Sequence, residues 1–403
     1  MKDRDCYSYE MGPFRPPSEG RSHSLLIRAS RGCSWNRCTF CITNDRNRPK
    51  FQLRTPEEII RDIDTIRVLV DEIEAASRHL GYNGSVNNEV INTLIQNNTN
   101  IYSSKSVDIF ELQQRFQCLI NVANWLNSGC KTVFLQDSNS LILRTHNLIT
   151  ILNYLKNNFP TIERVSTYGR AKTCYKKSLD ELIDLREAGL SRIHVGFETG
   201  CDEVLQFIDK GVTAREEIEG GKRVIEAGIS LSEYFMPGLG GKKWSQKHAL
   251  DSAQVLNEIN PDFIRIRTLA LRQDSPLYTD FKVNGYDILS ESQMVDELGL
   301  LLENLTCNSY ITSDHIWNLL MEVEGQLPDA KEEMLGIIRA YQLKPLLEKL
   351  TLNLNRRLRY FSLTGIPYTR QLVEEAQEAI RTESSDAETK VEKAIFALKQ
   401  HGG

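Results

Sequence analysis

Short apolar runs rich in Ile, Val and Phe alternate with longer amphipathic stretches from about residue 23 to about residue 272. Branched and aromatic runs bounded by turn formers fit buried strands, and strands alternating with helices fit a parallel sheet with helical crossovers. Six strands are predicted, at 24–29, 132–135, 164–167, 192–197, 231–235 and 263–269. Between them, Thr55-Pro56-Glu57-Glu58 and Ser178-Leu179-Asp180-Glu181 start helices with a capping hydroxyl and acids in the first turn. Gly129, Gly189 and Gly228 each close a helical pattern just before the next apolar run, where a left-handed residue is needed. Six strand-then-helix units make an α/β fold, either an open doubly wound sheet or an incomplete eight-stranded barrel. In both, chemistry belongs at the carboxyl ends of the strands.

The asparagine-rich stretch 81–105 shows little apolar periodicity and is expected to be an exposed insertion or a lid in the first crossover. After Asp274-Ser275-Pro276 the alternation stops. The rest reads as helical, most clearly at 316–327, 329–341 and 346–360, and the polar stretch from Tyr368 holds one amphipathic segment, 391–398, read as a surface appendage. The expected organisation is an N-terminal extension (1–22), a core (23–273) and a mainly helical C-terminal region (274–403).

With 403 residues, 40% hydrophobic and 26% charged, the chain can bury a sizeable core; its 12 prolines, 24 glycines and mean hydropathy of -0.37 exclude collagen-like, low-complexity and wholly disordered classes, and no run approaches the ~18 apolar residues a bilayer span needs. Arg15, Pro16 and Pro17 interrupt the start where a secretory signal needs an apolar run, so a cytoplasmic protein is expected. A formal charge of -5 disfavours nucleic acid and other polyanions as partners. Nine cysteines, three of them crowded into residues 33–41, speak against a disulfide framework.

The crowded three lie in Arg31-Gly32-Cys33-Ser34-Trp35-Asn36-Arg37-Cys38-Thr39-Phe40-Cys41, directly after the first strand. Three thiolates so close can wrap one metal centre and leave a coordination position without a local protein ligand. Arg31 and Arg37 add charge that favours thiolate. A structural zinc site would want a fourth ligand, and only His23 and His79 are near; an electron-transfer cluster would want a fourth cysteine close by, and none follows Cys41. These readings, and three buried structural cysteines, stand beside a cluster with an open iron.

The segment is similar to the cysteine loop of radical S-adenosylmethionine enzymes. Leu135-Gln136-Asp137-Ser138-Asn139, Gly196-Phe197-Glu198-Thr199-Gly200 and Met236-Pro237-Gly238-Leu239-Gly240-Gly241 resemble strand-end stretches of the oxygen-independent coproporphyrinogen oxidase and methylthiotransferase branches. The resemblance covers roughly residues 20–272. One departure is that four residues, not the common three, separate Cys33 from Cys38; one more residue lengthens the loop by up to ~3.5 Å. The resemblance implies a partial barrel of six strand–helix units. It also implies a [4Fe-4S] cluster on Cys33, Cys38 and Cys41, S-adenosylmethionine as cosubstrate, and a 5′-deoxyadenosyl radical that takes hydrogen from a substrate not identified by sequence. An external donor of the flavodoxin or ferredoxin type would reduce the cluster.

Cofactor contacts are expected, on the same ground, from Phe40, Asp137, Ser138, Asn139, Glu198, Gly238 and Gly240, and Arg170 is a candidate carboxylate partner. Tyr168, Tyr234 and Cys201 read mainly as core, Asp314 and His315 as helix-start chemistry, and Arg356, Arg357 and Arg359 as a solvated helix face. Arg265 and Arg267 alternate with Ile264 and Ile266 and so share one side of the last strand. Neither the RNA-binding barrel of the methylthiotransferase branch nor a cobalamin-binding unit is expected in this length of chain.

Overall fold

A computed structural model describes residues 7–17, 23–41, 50–104, 108–283, 285–364, 368 and 370–400. Cys6, one of the nine cysteines, and Lys105, the last residue of the asparagine-rich stretch, lie outside the described residues. The strands are β1 (Leu25–Arg28), β2 (Ser30–Arg31), β3 (Gln52–Leu53), β4 (Thr132–Gln136), β5 (Arg164–Gly169), β6 (Leu190–Glu198), β7 (Ser230–Phe235), β8 (Phe263–Ile266), β9 (Tyr310–Thr312) and β10 (Gly325–Gln326). The helices are α1 (Pro56–His79), α2 (Asn88–Asn97), α3 (Ile109–Asn127), α4 (Thr145–Asn158), α5 (Ala171–Lys176), α6 (Leu179–Ala188), α7 (Asp202–Phe207) and α8 (Ala214–Glu226). They continue with α9 (Gly241–Ile259), α10 (Pro276–Val283), α11 (Glu291–Asn304), α12 (Lys331–Gln342), α13 (Leu346–Thr364), α14 (Arg370–Arg381) and α15 (Ala387–Lys399). None of these helices is long and apolar enough to cross a membrane.

The chain divides into two compact units, one of residues 1–34, 49–194 and 226–230, the other of residues 35–48, 195–225 and 231–403. In the first unit β1 pairs parallel with β4 and β4 with β5, in register Leu26 with Phe134 and Phe134 with Ser166. Strand Thr132–Gln136 is buried at every position and carries three consecutive apolar residues, Val133 to Leu135, because a parallel sheet is covered on both faces. Helix α1 starts with a full capping box between Thr55 and Glu58, α6 repeats it with Ser178 and Glu181, and Gly189 closes α6 in the left-handed region.

In the second unit β7 pairs parallel with β8 and β8 with β9, while β10 runs antiparallel to β9. The mixed α/β class with parallel strands therefore holds, but the helical C-terminal reading needs correction in two places. Residues 316–327 form turns and β10 rather than a helix. Asn318 explains why: its side chain accepts from the Thr268 amide (2.9 Å) and donates to the Ile266 carbonyl (2.6 Å), spending on the end of β8 the polar groups of a helix-compatible run. The stretch after Tyr368 holds two helices, α14 and α15, not one; Val373, Ala376 and Ala379 supply a buried face of small side chains on α14. The asparagine-rich stretch holds a helix of its own, Asn87 capping α2, which buries Val90 and Leu94.

Candidate metal and cofactor site

In the first unit the turn after β4 is built around two buried side chains. Asp137 has φ 103, unusual for a residue with a Cβ, and its carboxylate accepts from the Ser138 amide (2.8 Å) and meets the Arg28 guanidinium at 2.8 Å. Asn139 spends its whole amide locally: Nδ2 donates to Ser34 Oγ (3.0 Å) and Thr173 Oγ1 (2.9 Å), and Oδ1 accepts from the Arg170 backbone (3.1 Å). Ser138 Oγ donates to the Gly32 carbonyl at 3.2 Å. Ser138 and Asn139 of the β4 turn thus fasten the residues on both sides of Cys33, and Arg170 stands at the N-cap of α5. Arg31 is engaged by Glu10 (2.7 Å) and Glu58 (3.1 Å). Burial pushes the Glu10 carboxyl up, but the hydrogen bond from Arg31 and the charges of Arg54, Arg31 and Arg28 outweigh it and hold the group below its ordinary range.

Cys38 and Cys41 belong to the second unit and share one turn, the Cys41 amide donating to the Cys38 carbonyl at 3.2 Å. Backbone bonds hold that turn on both sides, from the Thr39 amide to the Ile208 carbonyl (2.9 Å) and from the Leu277 amide to the Thr39 carbonyl (2.8 Å). Phe40 packs against an apolar cluster that includes Val204, Ile208, Leu239 and Leu277. Arg37 is paired with Asp209 (2.8 Å) and lies over Trp35, whose indole donates to the Asp209 carbonyl at 2.6 Å. Both arginines expected to favour thiolate are therefore neutralised locally, and Lys210, missed in the sequence, takes that role. Lys210 is buried, 3.1 Å from Glu198 and over the Phe40 ring. Burial alone would lower its pKa, but the negative charges of Glu198 and Cys38 outweigh it and the net direction is upward, so the cation persists beside the cysteine turn.

Glu198 ends β6 with φ 69 and its carboxylate serves Lys210. Two further acids of the same region, Glu217 on α8 and Glu233 on β7, are 1% and 2% exposed; both Glu217 carboxyl oxygens and one of Glu233 have no hydrogen-bond partner among the described residues. Burial first, then their mutual repulsion for Glu217, pushes both carboxyls well up.

The glycine turn after β7 is clamped by protein. The Gly238 amide donates to Glu297 Oε1 (2.6 Å), Ser245 Oγ donates to Glu297 Oε2 (2.5 Å), and the Tyr286 hydroxyl donates to the Gly238 carbonyl (3.0 Å). A Cβ on Gly238 would stand 2.9 Å from Met294, and one on Gly240 would stand 3.1 Å from His248. His248 joins this turn to the preceding one through Thr199 Oγ1 (2.7 Å) and the Met236 carbonyl (3.1 Å), with Glu297 3.7 Å away. Burial pushes Glu297 up to about 7 and His248 down to about 4. The two glycines expected to let a cofactor approach have the sides examined by an added Cβ filled by side chains.

The remaining candidates separate. The Tyr168 hydroxyl donates to the Arg15 carbonyl, and Cys201 is buried. Arg265 is buried and donates to Ser232 Oγ at 3.0 Å, whereas Arg267, just past the strand, is exposed. Arg356 makes a two-pronged bond to Glu322 (2.7 Å each) and Arg357 is fully buried against Glu291, whereas Arg359 is exposed, so the solvated-face reading holds for Arg359 and fails for Arg357. Asp314 and His315 precede a turn, not a helix.

As for a metal group, the donor set is three thiols within nine residues, each half-buried, with no fourth cysteine in the segment and a buried cation acting on one of them. That chemistry fits an iron–sulfur cluster with one iron open to an outside ligand.

No family model matches the chain. A curated relative, the tRNA uridine(34) acetyltransferase of Methanocaldococcus jannaschii, is 23% identical over 128 residues, 32% of this chain and 23% of that protein. The chain thus spans under a quarter of the length of the curated relatives it matches. Among solved structures, coproporphyrinogen III oxidase of Escherichia coli, described as a radical SAM enzyme, is similar at TM-score 0.36 and 18% identity over 42% of this chain and 38% of that one. The cobalamin-dependent S-adenosylmethionine radical enzyme OxsB is similar at TM-score 0.42 and 13% identity over 93% of this chain and 53% of the other.

Proposed function

We propose that the chain is a radical S-adenosylmethionine enzyme whose cluster is held by Cys33, Cys38 and Cys41. The observation that carries this reading is the three-thiol segment after the first strand of a parallel α/β sheet, with the buried Lys210 cation over the Phe40 ring of the Cys38–Cys41 turn. When bound, a [4Fe-4S] cluster supplies the electron that cleaves the sulfonium. The chain's own residues do the rest. The β4 turn, through Ser138 and Asn139, holds the backbone around Cys33, and the Thr39 amide and carbonyl hold the turn of Cys38 and Cys41. Lys210 offsets negative charge at the cysteine turn, which favours its thiolates. Phe40 and its apolar neighbours give that turn one apolar side, which limits the water a radical reaction must avoid. A small-molecule substrate and a flavodoxin- or ferredoxin-type donor complete the reading.

Anaerobic assembly with iron and sulfide tests the ligands. Replacing Cys33, Cys38 or Cys41 singly by Ala is expected to abolish the cluster's visible absorbance, and retention of it in any one variant contradicts the assignment. Replacement of Cys118, buried against Tyr9, is the control that leaves absorbance intact.

A further inference from the structure

Strands β8 and β9 are parallel neighbours with Arg265 opposite Thr312, so their carboxyl ends deliver Arg267 and His315 to the same end of the second unit, two and three residues past that pair. This is the end of a parallel sheet at which ligands bind. The Arg267 backbone is pinned, its amide donating to the Phe235 carbonyl (2.9 Å), but its side chain is exposed and no hydrogen bond or ion pair is formed by it among the described residues. His315 is half-buried and accepts at Nδ1 from the Trp317 amide (3.3 Å). Burial first, then the charges of Arg267 and Arg357, hold the imidazole neutral, down at about 3. A neutral ring that accepts at Nδ1 carries its proton at Nε2, which makes Nε2 a donor.

Glu291 faces both Arg357 and Lys399, the latter at 2.6 Å, and the Arg357 Nε is buried with no acceptor among the described residues. The acids nearby, Asp314 and Glu392, are both exposed. Arg267 and His315 thus offer a forked cationic donor and an imidazole N–H at one end of the paired strands. That is how proteins receive carboxylate and phosphate groups.

We propose that Arg267 and His315 form an anion-binding subsite that receives a carboxylate or phosphate group of the substrate. Calling the ligand a substrate rests on the radical-enzyme reading; the anion site itself rests only on the residues above.

The test is calorimetric titration of the full reconstituted chain with inorganic phosphate and, separately, with succinate, at ionic strength fixed by chloride. One saturable anion per chain is expected, and whichever arm binds more tightly names the class. Loss of one charge-assisted hydrogen bond weakens binding about tenfold or more, so Arg267→Gln is expected to do so, Arg267→Lys to recover part of it, and His315→Gln to fall between. Nitrogen NMR of the histidine rings gives a second readout: phosphate or succinate should shift the Nε2 resonance that His315→Gln removes. Because Arg267 is exposed, its variants should keep the wild-type circular dichroism and melting temperature. Absence of saturable binding, or binding undiminished in Arg267→Gln, overturns the proposal. Anion binding without cleavage of S-adenosylmethionine would sink the functional reading and leave this site standing; cleavage without anion binding would do the reverse.

Discussion

The turns after β4 and β7 are each tied down by a buried carboxyl, but the two carboxyls meet different partners. Asp137 faces the Arg28 guanidinium at 2.8 Å. Glu297 faces only uncharged donors, the Gly238 amide and the Ser245 hydroxyl, beside a His248 ring that burial keeps neutral. A buried carboxylate opposite a guanidinium has its charge compensated, whereas one among neutral groups bears its desolvation and takes up a proton more readily. One turn therefore hangs on an ion pair and the other on a hydrogen bond that changes with pH.

The largest effect should come from breaking the ion pair. Arg28→Met strands the Asp137 charge and is expected to cost about 3–5 kcal/mol in urea unfolding, with the double variant Arg28→Met/Asp137→Asn recovering part of the loss. Recovery of nothing would mean that Arg28 acts through Glu10 instead.

The next effect is a pH window. The Glu297 carboxyl is raised from 4.5 to about 7, so the folded state holds its proton more tightly than the unfolded one. Its favourable contribution is complete below pH 4.5 and is lost as pH rises through about 7, a change on the order of 3 kcal/mol. Glu297→Gln keeps an acceptor for Gly238 and a donor for Ser245 and should remove that dependence, gaining on the wild type as pH rises from 5 to 8. An unchanged slope would show that Glu297 is not the titrating group.

Smaller again is Gly238→Ala. Its φ of 90 and the Met294 methyl at 2.9 Å should make the substitution cost about 1–2 kcal/mol of thermal stability. The smallest effect is expected at an exposed pair: Arg37→Gln loses its bond to Asp209 and should change stability by less than about 1 kcal/mol. A larger loss would mean that the stacking on Trp35 holds the cysteine loop.

Much of this frame is legible along the chain, for identifiable reasons. Runs such as Thr132–Gln136 are buried throughout, with Val133, Phe134 and Leu135 at their centre, because both faces are covered, and Thr55 with Glu58 spells out a helix start locally. Strands β9 and β10, three and two residues long, carry too little pattern to be read, and residues 316–327 look helical until Asn318 is seen bonding to the end of β8. The cysteines stand out because they cluster in sequence. Lys210, Glu297 and His248 do not, because each reaches its partners only through the folded chain, and Arg31 and Arg37 mislead because their neutralising acids, Glu10 and Asp209, lie elsewhere in the sequence.

The central claim is tested most directly by anaerobic reduction of the reconstituted protein with S-adenosylmethionine and chromatographic detection of 5′-deoxyadenosine. Product formed in step with cluster content, and absent from Cys38→Ala, is the predicted result. A fully assembled, reducible cluster that leaves S-adenosylmethionine intact would contradict it.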